Sequence, residues 1–216
     1  MEVVILAGGQ SKRLRPLTDE IPKCMIPING KPMLQYHIDH LKKTNIEKIV
    51  VACGYKWNKI KEHYGDKLIY SVEDEPRGTA GAIRLAIEHI EGDEFIVVNS
   101  DDLNNVPIGE LIKSGANTTV ISRFRSQFGI VDTEGVLIKN FREKPLLEHW
   151  ANIGMHLLGR KIKYPETGSL EYDVLPKLAA AGKLKAFKHT GYWVTINTIK
   201  ELEEAVAFFK SNKNNQ

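Results

Sequence analysis

The chain has 216 residues, 42% apolar and 26% charged, with a formal net charge of +3 at pH 7. That length supports one substantial core, and the composition is that of a globular protein rather than a disordered or fibrous one. A charge so close to balance argues against nucleic acid as a partner, and no apolar run reaches the ~18–20 residues that cross a bilayer.

The first predicted element is a strand over 2–6, where "EVVIL" is the continuous apolar run that a strand covered on both faces requires. Leu34, Ile38 and Leu41 fall at helical spacing within 32–43, and Lys42 and Lys43 suit the negative end of that helix. "KIVVAC" (48–53) predicts a second buried strand, a short helix follows near 57–64, and "KLIYSV" (67–72) predicts a third strand. Ile83, Ile87 and Ile90 mark one stripe of a helix over 79–90, and "EFIVVN" (94–99) is a fourth strand. Pro107 suits the first turn of a helix over 107–114. Strands alternating with helices predict an α/β fold, a mostly parallel twisted sheet with helices on both faces.

The second half changes character. "TTVISRF" leads to "FGIVDTEGVLIKNFREKP", where Asp132 to Gly135 turns between two alternating runs and predicts a small antiparallel sheet. "ANIGMHLL" (151–158) is a further strand, and 171–183 reads as a helix closed by Gly182. "KLKAF" and "YWVTI" are short strands, and the final helix opens on a capping box with Thr198 as N-cap and Glu201 three residues on. No repeat or linker interrupts the chain, so one domain is expected over 1–216, with a polar tail fraying over 211–216. The start, "MEVVIL", carries no basic-then-apolar leader. Cys24 and Cys53 are too few for a disulfide framework and lack metal-ligand spacing, which suits buried thiols in a reducing cytoplasm.

Chemistry concentrates in "LAGGQSKRLRP" (6–16), a loop leaving the carboxyl end of the first strand, where open α/β sheets bind ligands. Gly8 and Gly9 let the backbone approach an anion, and successive N–H groups in such a turn form a concave nest for phosphate. The Rossmann Gly-x-Gly-x-x-Gly and the P-loop Gly-Lys-Ser/Thr are both missing. Arg13 can fork onto two phosphate oxygens, and Lys23 supplies a compact point charge.

Taken with "IPKCMIPINGKPML" after it, this segment resembles the N-terminal signature of the sugar-phosphate nucleotidyltransferases, with Ser11 and Lys12 where that family usually has Gly and Thr. "EDEPRGTAGAIRLA" (73–86), "VVNSDDL", "FGIV", "FREKP", "NIGMHLL", "GSLEYDVLPKL" and "GYWVTINTIKELEEA" fall in the family's order and spacing across nearly the whole chain. The resemblance implies condensation of a nucleoside triphosphate with a sugar 1-phosphate, releasing pyrophosphate. It divides the chain into a nucleotide-binding half (1–115) and a sugar-phosphate-binding half (116–210). Leu6, Ala7, Gly8, Gly9, Glu75, Gly78 and Thr79 would hold the nucleotide, Arg13 and Lys23 the reacting phosphates, and Asp101 a Mg²⁺ ion. Asp102 points the other way on its strand, so one of the two carboxylates reaches the metal. Gly129, Glu143, Lys144, Asn152 and Glu171 would face the sugar phosphate.

One position departs from the family. An Asp that helps hold the metal usually stands two residues after the Trp, and here "YWVTINT" places Thr195 there, with Asn197 in place of a common Gly. A hydroxyl offers oxygen without charge, so the alternative is a chain that binds nucleotide-sugar without turning it over. A molybdenum-cofactor-type guanylyltransferase shares the opening loop but not "EKP" or "YWVTINTIKEL". A glycosyltransferase would carry Asp-x-Asp, which "SDD" is not. Base, sugar and assembly into a homo-oligomer are left open by the sequence.

Overall fold

The computed structural model describes residues 1–213. In chain order, β1 (Glu2–Ala7) leads through a loop and short 3-10 turns to β2 (Pro27–Ile28) and β3 (Lys31–Pro32). Then come α1 (Met33–Leu41), β4 (Lys48–Cys53), α2 (Trp57–Tyr64), β5 (Ile69–Val72), α3 (Gly78–Ala86), β6 (Glu94–Asn99), β7 (Asp102–Asn104) and α4 (Ile108–Lys113). The second half adds β8 (Thr118–Arg125), β9 (Ile130–Glu134), β10 (Leu137–Arg142), β11 (Leu146–Gly159), α5 (Leu175–Ala180), β12 (Lys185–His189), β13 (Trp193–Thr195) and α6 (Ile199–Lys213).

Seven strands form one sheet in the order β12-β8-β11-β6-β1-β4-β5. β1 runs parallel to β4 and β6, β4 to β5, and β12 to β8, while β11 alone runs against both its neighbours. The expected mostly parallel α/β sheet is therefore the observed one. It is accompanied by three two-stranded antiparallel sheets, β9–β10, β7–β13 and β2–β3.

Apolar residues on one parity of β1 and β6 (Val3, Ile5, Ile96, Val98) pack with Leu34, Ile38 and Leu41 of α1, Ile60 of α2 and Leu111 of α4. The other parity (Val4, Val97) meets Ile83 and Ala86 of α3 and Leu175 of α5 on the opposite face. Burial on both faces is why these strands read as unbroken apolar runs. A third cluster seats Ala205 and Phe209 of α6 on Leu14, Ile28 and Leu103. The capping box forms: Thr198 Oγ1 accepts from Glu201 N at 3.2 Å and Glu201 Oε2 accepts from Thr198 N at 2.9 Å.

Three expectations are corrected. The helix expected over 171–183 opens as a wider π turn over Leu170–Val174, whose first N–H groups donate to Ser169 Oγ, and becomes α-helical only over Leu175–Ala180. The helix expected over 32–43 ends at Leu41. The tail expected to fray from 211 instead continues α6 through Lys213, and 214–216 lie outside the described residues. Among the described residues, no helix is long and apolar enough to cross a membrane.

Candidate active site

The three central strands β4, β1 and β6 end at one level, and the loops leaving their carboxyl ends surround a cavity of about 320 Å³. Leu6, Ala7, Gly8 and Gly9 form one wall, and Gly78 and Thr79 at the start of α3 form a second. Lys23 and Asp101 line the same cavity. Gly8 is packed closely, because a Cβ there would stand 2.5 Å from Glu73 Oε1.

Lys23 is the centre of the polar network. A 3-10 turn over Lys23–Met25 leaves the residue 8% exposed. Its Nζ donates to Asp101 Oδ2 at 2.6 Å and to Asn197 Oδ1 at 2.9 Å. Asn197 Nδ2 in turn donates to Thr195 Oγ1 at 3.0 Å. The backbone of Asn197 is fixed by the α6 cap, since its N–H donates to Glu201 Oε2 at 2.6 Å. A lysine so nearly excluded from water is held between two oxygens because an unpaired buried cation would be costly.

The neighbouring carboxylates point apart, Asp101 from the turn after β6 and Asp102 from the first residue of β7. Asp101 stays partly open, with its side chain 30% exposed beside the cavity. Asp102 turns inward, where its Oδ1 accepts from Trp193 Nε1 at 2.8 Å across the β7–β13 pair. Burial and then the Asp101 charge hold its carboxyl above the usual carboxylate range. Asp101 is thus the one of the two carboxylates that borders the cavity. Among the described residues no group of three or more His, Cys, Asp and Glu side chains is gathered to cage a metal. The donor set fits a hard divalent cation that takes one carboxylate and completes its shell with water and phosphate oxygens.

The remaining predicted residues are distributed unevenly. Glu171 is tied to the start of α3, because Thr79 Oγ1 donates to Glu171 Oε2 at 2.9 Å and accepts from Leu170 N at 2.7 Å. Asn152 Oδ1 accepts from Gly154 N at 3.0 Å. Gly154 itself has φ +69 and lies against Asp102 and Asn99, so a side chain there would collide with the inner carboxylate. Gly129, Glu143 and Lys144 gather at the root of the β9–β10 hairpin, where a Cβ on Gly129 would stand 3.0 Å from Glu143 Oε2. They lie outside the wall of the cavity, as does Arg13 in its exposed turn. Glu75 lines a neighbouring cleft of about 230 Å³ with Gln10 and Tyr55.

Two residues escape the sequence reading. Asn197, noted there only as a departure, is the second partner of Lys23. Glu73, in the same segment as Glu75, lines the cavity as well. It faces both the cavity and the cleft, accepts from Arg77 N at 2.8 Å, and is pushed up by burial. Period-2 alternation places residues 73 and 75 on one side of an extended chain, so their sequence offered no way to choose.

A family model described as nucleotidyl transferase matches residues 2–212. The mannose-1-phosphate guanyltransferase of Yarrowia lipolytica is 32% identical over 235 residues, which take in 98% of this chain and 65% of that protein. The chain therefore spans just under two thirds of that curated relative. The crystal structure of HddC from Yersinia pseudotuberculosis is 30% identical, covers 96% of this chain and 99% of its own, and superposes with a TM-score of 0.76. HddC complexed with GMP-PN is matched at 28% identity and a TM-score of 0.74, over 96% of this chain and 99% of that one.

Proposed function

The chain belongs to the nucleotidyl transferase family, and we propose that it joins a nucleoside triphosphate to a sugar 1-phosphate, releasing pyrophosphate and a nucleotide-sugar. The observation that carries this reading is the Lys23 ammonium held 2.6 Å from Asp101 on the cavity that the glycine loop also lines. A phosphate oxygen of the sugar 1-phosphate attacks the α-phosphorus, the bond from that phosphorus to the bridging oxygen breaks, and pyrophosphate leaves with the electron pair. The attacking group is already an anion at neutral pH, so what remains for the protein is positioning and charge neutralisation.

In this scheme the backbone of Gly8 and Gly9 cradles the triphosphate, Lys23 sits against the oxygens of the reacting phosphorus, and Arg13 reaches toward the departing pyrophosphate. Asp101 would hold Mg²⁺, which when bound neutralises phosphate charge and orients the triphosphate. Asn152 and Glu171, with Gly129, Glu143 and Lys144 at the hairpin root, are assigned to the sugar phosphate. The two buried free thiols, Cys24 and Cys53, suit a cytoplasmic setting.

The base is proposed to be guanine. Glu73 brings a carboxylate to the cavity, its Oε2 accepting from Arg77 N and its Oε1 beside Gly8, and guanine is the nucleobase whose N1–H and N2–H₂ form adjacent donors to such a group. The Yarrowia relative named as a guanyltransferase and HddC complexed with GMP-PN support the same choice. Pyrophosphate release, measured across four nucleoside triphosphates and a panel of sugar 1-phosphates that includes mannose 1-phosphate, tests the whole reading. Metal-dependent release with GTP is expected, and Glu73→Gln, which keeps one acceptor, is expected to lose about tenfold in kcat/KM for GTP. Release with another base and unchanged kinetics in the variant would overturn the guanine assignment. Nucleotide binding without release across the panel would mean that Thr195 marks a binder rather than an enzyme.

A further inference from the structure

β7 and β13 pair only with each other, outside the seven-stranded sheet. In their register Thr195 lies directly opposite Asp102, and Trp193 opposite Asn104. Residues two apart on a strand share a face, so Asp102, Thr195 and Trp193 project to the same side of the pair. Two residues beyond Thr195, the backbone of Asn197 is held by Glu201 in the cap of α6, and its side chain meets Lys23.

The hydrogen bonds through these residues all run one way. Lys23 Nζ donates to Asn197 Oδ1 at 2.9 Å, and Asn197 Nδ2 donates to Thr195 Oγ1 at 3.0 Å. Asp102 receives the far end. Burial raises its carboxyl most, and hydrogen bonds from Trp193, Thr195 and Asn99 oppose that rise. Trp193 Nε1 stands 2.8 Å from Oδ1, and Asn99 Nδ2 3.5 Å from Oδ2. An indole N–H can only donate, so Asp102 is the acceptor on which the chain ends. A cation opens the chain and a carboxylate closes it, and donations aligned in this way reinforce one another.

The two ends dictate the orientation of the amide between them. Thr195 turns its hydrogen to Asp102 and keeps only lone pairs for Asn197. Asn197 must therefore offer it Nδ2 and turn Oδ1 to Lys23, because a reversed amide would set an NH₂ group against an ammonium. The consequence falls on Lys23, whose ammonium carries three donors. One is committed to Asp101 Oδ2 at 2.6 Å and one to Asn197 Oδ1, and the tetrahedral nitrogen then fixes the direction of the third. Lys23 lines the cavity, and among the described residues that third donor has no partner.

We infer that Thr195 and Asn197, backed by Asp102, are positioning residues that aim the third Lys23 N–H at the reacting phosphate. Neither residue lines the cavity, so each acts through Lys23. The inference rests on the reaction proposed above.

Thr195→Val removes the hydroxyl and nearly keeps the shape, whereas Thr195→Ser keeps the hydroxyl. Thr195→Val is expected to lower kcat about tenfold with the nucleotide KM within about twofold of wild type, and Thr195→Ser to restore kcat to within about twofold. In the Lys23→Met background Thr195→Val is expected to cost nothing further, because the donor it aims is gone. A residue that only supports the fold would cost the same in both backgrounds. A second readout needs no turnover. In proton–nitrogen correlation spectra the Asn197 side-chain amide signals should move in Thr195→Val and in Lys23→Met, and stay in place in Thr195→Ser. Wild-type kinetics in Thr195→Val, or equal costs in the two backgrounds, overturns the inference. A wild type that releases no pyrophosphate overturns the reaction instead, and the amide signals then decide alone: unmoved in Thr195→Val, they overturn the chain of donations.

Discussion

Replacing Lys23 with methionine is expected to lower kcat/KM about a hundredfold while the fold survives. The lysine makes two close polar contacts, to Asp101 at 2.6 Å and Asn197 at 2.9 Å, on the wall of the cavity assigned to the triphosphate. A hydrogen bond to a charged group is worth roughly 1.5–3 kcal/mol net, and a loss near 3 kcal/mol felt in the transition state is about a hundredfold in rate. Methionine keeps the buried stem filled. Asp101 remains partly open to water and Asn197 keeps its bond to Thr195, so neither polar partner is stranded. Initial rates of pyrophosphate release against each substrate, with urea midpoints for both proteins, check this. Rates within twofold of wild type would remove Lys23 from the reaction, and a collapsed urea midpoint would make it a structural residue instead.

The parallel half of the fold was legible because doubly buried strands and amphipathic helices leave unambiguous patterns. "EVVIL" and "EFIVVN" could be read as central strands, and Leu34, Ile38 and Leu41 as a helix face. The second half was less legible. β11 begins at Leu146, five residues before the strand read at 151, because Leu146–Trp150 borders exposed surface and shows no apolar run. The π opening of the helix after Ser169 had no signature either. It arises from contacts distant in sequence, above all Thr79 Oγ1 accepting from Leu170 N.

The site divides in the same way. Residues on one loop or helix start, such as Gly8, Gly9, Gly78 and Thr79, were readable as units and line one cavity. Partners brought together across long separations were not. Asn197 meets Lys23 across 174 positions, and no local pattern in "TINTIK" announces that contact. The small two-stranded sheet was foreseen, but its turn falls on Gly135 and Val136, and Asp132 to Glu134, read as part of the turn, belong to β9. The irregularity in its pairing between Ile138 and Asn140 was not foreseen, because a one-residue shift in pairing depends on both strands together.

Gly78→Ala is expected to destabilise the protein by about 3 kcal/mol and to weaken nucleotide binding with it. Gly78 opens α3 at φ +72, where a Cβ costs roughly 1–2 kcal/mol in conformation alone. That Cβ would also be driven into the carbonyl oxygen of Gly168, a backbone atom with little freedom to retreat. The Gly168 carbonyl accepts from Ala80 N at 3.0 Å, and the Gly168 N–H donates to Arg77 O at 2.8 Å. Overpacking against so fixed a neighbour adds typically 1–3 kcal/mol. The damage reaches the site because Thr79, the next residue, both lines the cavity and holds Glu171 at 2.9 Å. Gly109→Ala makes the control. Gly109 lies inside α4 with nothing within 4 Å of its added Cβ, so helix propensity should stabilise that variant by up to about 1 kcal/mol. Urea midpoints for both variants, with KM for the nucleotide, separate the effects. If Gly78→Ala melts with the wild type and binds nucleotide equally well, the loop around Gly168 yields to a methyl group, and the rigid join between α3 and the segment that carries Glu171 is not what shapes the cavity.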